Sequence, residues 1–153
     1  MNYRVFLPLV ALFFIGVMVL YFIFNPSYEK SIRAKYYYET GDYHQALKLS
    51  KEAFSQNVYN RMASTVMAQS LTSLKYVEYI NDAKSYKQEL DLIAAKEEIS
   101  KADKAKIRLI CEIMLASYKK LAPSIVTDED LVETAAKYHQ EFEKLLEKVN
   151  ASL

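Results

Sequence analysis

From Asp42 to Ala122 the chain contains neither glycine nor proline. That one absence excludes most folds. A sheet must turn its chain every few residues, and turns draw mostly on Gly, Pro, Asn and Asp. A run this long without the first two, rich in Ala, Leu, Lys and Glu, predicts an almost wholly helical, all-α protein. Gly16, Gly41, Pro8, Pro26 and Pro123 are the only glycines and prolines, and they punctuate what lies outside that run.

The segment Val5 to Phe24, "VFLPLVALFFIGVMVLYFIF", is twenty residues without a charge. At about 1.5 Å per residue it measures about 30 Å, the thickness of a hydrocarbon core. Pro8 falls in the first turn, where its missing N–H is tolerated. Tyr3 and Arg4 before the segment, and Tyr21, Asn25 and Tyr28 at its end, suit the interfacial region. The segment ends in bulky residues where a cleaved signal peptide ends in small ones, so it reads as an uncleaved transmembrane anchor. The organisation expected is a tail (1–4), an anchor (5–24) and a helical domain (25–153).

Lys30, Arg33 and Lys35 follow the anchor closely, against Arg4 and the amino terminus before it. This bias favours a cytoplasmic domain on a plasma (inner) membrane; a periplasmic or extracytoplasmic domain is the alternative. Basic and acidic residues nearly cancel, 20 against 19, so there is no basic excess for nucleic acid.

Helix boundaries come from capping chemistry. Asn25 before Pro26 suits a helix start, and Gly41 suits a left-handed helix end near Thr40. Asp42, with Gln45 three residues on, suits the start of a second helix running to about Gln56. A third helix is expected from about Asn60, with Met62, Ala63, Val66, Met67, Leu71 and Leu74 inward. After a break near Lys75, a fourth runs from Tyr76 to Glu98, with Tyr79, Ile80, Ala83, Tyr86, Leu90 and Ile93 inward. Ser100 is expected to cap a fifth helix to Leu121, and Thr127 a sixth. In the sixth, Leu131, Ala135, Tyr138, Phe142, Leu145 and Val149 form a heptad stripe. That stripe either caps the helical stack, packing on the helix around Ile107 to Tyr118, or forms a homodimer.

The stretch "YYETGDYHQALKLSKEAF" resembles a tetratricopeptide repeat, a pair of helices joined at a Gly-Asp-aromatic turn and packed through small residues. Ala34 matches the small position of the first helix and Tyr37 its aromatic. Gly41 and Tyr43 match the turn, and Ala46 and Ala53 match the two small positions of the second helix. Lys30, Arg33, Ser50 and Val58 depart from the pattern. The resemblance implies a short antiparallel stack of helix pairs, about six helices in all, closed by a terminal capping helix. It also implies a partner-binding face on the first helix of each pair, here Lys35, Tyr38, Glu39, Thr65, Gln69 and Thr72. Tyr36, Tyr37 and Tyr38 cannot all point inward, because successive helical residues diverge by about 100°.

No catalytic, cofactor or metal constellation is legible. His44 and His139 lie on polar helix stretches, and His139 with Glu143 reads as a solvated face. Cys111 sits in the apolar run "IRLICEIML" and reads as a buried, inert thiol. There is no phosphate loop or nucleophile elbow. The expected function is a non-enzymatic, membrane-anchored protein-interaction module: a scaffold, adaptor or assembly factor for a membrane complex. The alternative is a structural subunit that homo-oligomerises through its last helix.

Overall fold

The computed structural model describes residues 3–123 and 127–151. Met1, Asn2 and Leu153 lie outside the described residues, as do the side chains of Tyr3, Arg4 and Val5 that figure in the expected tail and anchor. The described chain is all-α: six helices and, among the described residues, no strand. They are α1 (Tyr3–Phe24), α2 (Pro26–Glu39), α3 (Tyr43–Gln56), α4 (Arg61–Ala94), α5 (Lys101–Tyr118) and α6 (Glu129–Ala151). The residues group into two compact units, Met1–Leu71 and Thr72–Leu153.

In the first unit, α2 starts where the sequence places it. The Asn25 side chain accepts from the Ser27 N–H at 3.1 Å, with Pro26 in the first turn. The helix closes in a Schellman arrangement: the Gly41 N–H donates to Tyr38 O and the Asp42 N–H to Tyr37 O, at 3.1 and 2.9 Å. Gly41 takes φ 83°, the left-handed region that favours glycine. Asp42 then caps α3 by accepting from the Gln45 N–H at 3.0 Å.

The expected break near Lys75 does not occur. α4 is one helix of 34 residues. The physical reason is that nothing between Leu71 and Tyr76 breaks a helix, and Ser70 and Ser73 turn inward where apolar residues were expected. Both serines are completely buried, while Met62 and Leu71 are exposed and Met67 and Leu74 are half-buried. α4 also ends earlier than expected, at Ala94.

The second unit has a larger apolar core. Tyr76, Tyr79, Ile80, Ala83 and Ile93 of α4 join Ile107, Ile110, Cys111 and Met114 of α5. Ala135, Phe142 and Val149 of α6 complete it, with Tyr86, Leu90, Leu131, Tyr138 and Leu145 packed at its edge. Ser100 caps α5 in a capping box with Asp103. Hydrogen bonds from Lys96 and Ser100 pull the Asp103 carboxyl down to about 2. α5 ends at Tyr118, short of Leu121. The cap of α6 is Asp128, not Thr127: its Oδ1 accepts from the Asp130 N–H at 3.0 Å, placing the acceptor one residue nearer the first turn.

Among the described residues no single helix is long and apolar enough to cross a membrane. Phe6–Tyr21 meets that standard only together with Pro26–Glu39, across a bend.

Candidate interaction surface

The α2–α3 pair is held by small residues at its crossing. Ala34, Ala46 and Ala53 are completely buried, and Tyr43 nearly so. Ala34, Ala46 and Val66 of α4 form one cluster, with Tyr37, Tyr38 and Leu49 against it. Side chains this small let helix backbones approach closely. Any larger one would force them apart in an interior packed to crystal-like density.

A buried polar clamp, not foreseen from sequence, reinforces this packing. The Ser27 hydroxyl donates to Ala53 O at 2.8 Å. Asn60 Nδ2 donates to Ser27 O, Ser27 Oγ and Ser31 Oγ at 3.1, 2.9 and 3.2 Å. Its Oδ1 accepts from the Ala63 N–H at 3.1 Å, so one buried asparagine both caps α4 and ties it to α2. The signal available in sequence was an Asn before a helix, which names a cap but not a second role. Two departures from the repeat pattern have partners here. Lys30 pairs with Glu52 across α2–α3 at 2.8 Å, and that lysine lowers the Glu52 pKa. Ser50, wholly buried, donates its hydroxyl to Leu47 O at 3.0 Å.

The outward side of α2 is the surface of interest. Tyr36 is 65% exposed and Ile32 56% exposed, one helical turn apart. Lys35 and Glu39 are exposed beside them, and Arg33 is paired with Glu29 at 3.7 Å. Tyr38 is half-buried, its ring edge-on to Tyr43 at 5.4 Å. Thr65 on α4 is exposed and Gln69 half-buried in the same unit, whereas Thr72 belongs to the second unit. The triple tyrosine therefore divides as helical geometry requires, with Tyr36 outward and Tyr37 and Tyr38 against the core.

In the second unit the heptad residues Leu131, Ala135, Tyr138, Phe142, Leu145 and Val149 all face the apolar cluster. Lys87 of α4 bonds Glu141 of α6 at 2.7 Å and sits 5.6 Å from the Tyr138 ring; the Glu141 hydrogen bond raises its pKa. His139 is not on a solvated face. It is half-buried and stacked on Tyr118 at 4.1 Å, with Nδ1 buried and unpartnered, because Tyr118 lies over that turn of α6. Tyr118 also lies 5.7 Å from Tyr79, whose hydroxyl is buried without a partner and pushed up to about 12, chiefly by burial. Tyr79 lines a groove of about 380 Å³ with Lys75, Glu78, Asp82, Ser117, Lys120 and Leu121. His44 is exposed. Burial pushes the Cys111 thiol up to about 11, away from the thiolate a nucleophile needs.

No family model, no curated protein and no solved structure matches the chain.

Proposed function

We propose that the chain is a single-pass membrane protein whose tetratricopeptide-like helix pair, α2–α3, presents the outward side of α2 to a partner protein. In this reading it serves as scaffold, adaptor or assembly factor for a membrane complex. The observation that carries it is the surface of α1. Leu12, Phe13, Phe14 and Ile15 are consecutive, step by about 100° each, and are all more than 60% exposed. An apolar helix open to solvent around its circumference has no stable place in water, and a bilayer supplies the missing surroundings.

The repeat-like part of the reading is supported by the buried Ala34, Ala46 and Ala53 and by the Gly41 turn. The binding part is supported by Tyr36 and Ile32, large side chains left outward on a helix that buries its other side. Exposed tyrosine is favoured at interfaces because it offers area at small entropic cost. The flanking Lys30, Arg33 and Lys35 favour the cytoplasmic side for the helical units in this reading.

A photo-cross-linking residue at Tyr36, in the full-length protein in its native membrane, tests the binding face. A discrete adduct with a different polypeptide, absent when the same residue replaces exposed Lys148 on α6, is the expected result. Adducts only between copies of this chain would favour the homo-oligomeric subunit instead, and the absence of any adduct would leave the α2 face idle.

A further inference from the structure

The turn between α3 and α4 is an unusual place for large apolar side chains. Val58 is 59% exposed and Tyr59 88% exposed. The turn itself is well defined. The Asn57 side chain accepts from the Tyr59 N–H, and the Asn60 N–H donates to Asn57 O, both at 3.0 Å. Val58 and Tyr59 are therefore held outward by a hydrogen-bonded turn.

The buried clamp fixes where that turn lies. Asn60 is bonded to Ser27, and Ser27 to Ala53, so the end of α3 and the start of α4 sit against the first turn of α2. Ser27 is three residues after Phe24, where α1 ends. The α3–α4 turn is thus at the same end of the first unit as the exit of α1. That end also carries Tyr21, whose ring lies 6.5 Å from Tyr28, and the exposed Phe24. Arg61, the residue after the clamp asparagine, is exposed too.

We infer that the Val58–Tyr59 turn is a second membrane contact, inserted into the lipid headgroup region beside α1. The chemistry fits that layer. A tyrosine has an apolar body and a polar tip, a combination enriched at membrane–water interfaces. Val58 adds apolar area, and Arg61 offers a guanidinium to lipid phosphates. Two contacts would fix the tilt of the first unit on the bilayer, where α1 alone would act as a swivel, and so fix which way the α2 face points. This inference rests on α1 being an anchor, and its test separates the two.

The chain has no tryptophan, so single substitutions make clean reporters. Full-length Leu12→Trp and Tyr59→Trp proteins are reconstituted into phosphatidylcholine vesicles carrying a nitroxide either deep in the acyl chain or at the headgroup. Leu12→Trp should lose most of its emission to the deep quencher. Tyr59→Trp should lose it to the headgroup quencher, shift to the blue and resist aqueous iodide. If Leu12→Trp behaves as expected while Tyr59→Trp stays red-shifted and open to iodide, the turn is not a lipid contact although the anchor stands. If Leu12→Trp is untouched by either lipid quencher, the anchor reading falls and takes this inference with it.

Discussion

Gly41 shows how far one residue can decide local architecture. Its φ of 83° lets two N–H groups close the last turn of α2 and lets Asp42 open α3. A Cβ there would meet nothing within 4 Å, so any cost of substitution is purely conformational. Gly41→Val should lower stability by more than about 1 kcal/mol, whereas Gly41→Asn, which tolerates the left-handed region, should cost less. Thermal melts of the two variants check the order, and equal melting temperatures would mean the turn is not under that constraint. Tyr79 makes the opposite point, since its hydroxyl is buried with nothing to bond. Removing it by Tyr79→Phe should leave stability at neutral pH unchanged or raise it by about 1 kcal/mol. The pH dependence follows from the sign of the shift. A phenol raised from 10.0 to about 12 in the folded state stabilises below pH 10 and loses that contribution as pH rises toward 12. The Phe variant should resist alkali better over that window, and a variant that unfolds at the same alkaline pH would show Tyr79 takes no part. Neither the orphaned hydroxyl nor the stacked His139 was legible in sequence, because the rings of Tyr79 and His139 meet Tyr118, which α5 brings from far along the chain.

At the scale of elements, most helix ends could be read because capping is local chemistry. Asn25 with Pro26, Gly41 with Asp42, and Ser100 each act on neighbours within a few residues. The middle of α4 could not. A search for apolar periodicity passes over Ser70 and Ser73, whose burial depends on smallness and not on hydrophobicity, and so sees a gap where the helix continues. Asn60 was visible only as a place where a helix begins; its bonds to Ser27 and Ser31 cross about thirty residues of chain, beyond any local signal. Phe142 is 2% exposed within the core of the second unit. Phe142→Ala should therefore cost about 3 kcal/mol or more, read from denaturant unfolding. Removing the chain after Asp128 should leave a remainder that aggregates. A soluble, helical, monomeric remainder would instead make α6 a free arm and favour dimerisation through its stripe.

For the molecule as a whole, the boundary between the two compact units, after Leu71, falls inside α4, a helix with no glycine or proline. The reading of the chain as a membrane-anchored display of the α2 face depends most on α1. Flotation of the full-length protein on a density gradient, after its vesicles are washed in alkaline carbonate, tests this directly. The full-length chain should rise with the lipid and be released only by detergent, and a chain beginning at Asn25 should remain at the bottom. A full-length chain that stays soluble at the bottom of the gradient, or a membrane form whose amino terminus begins beyond Phe24, would contradict the anchor.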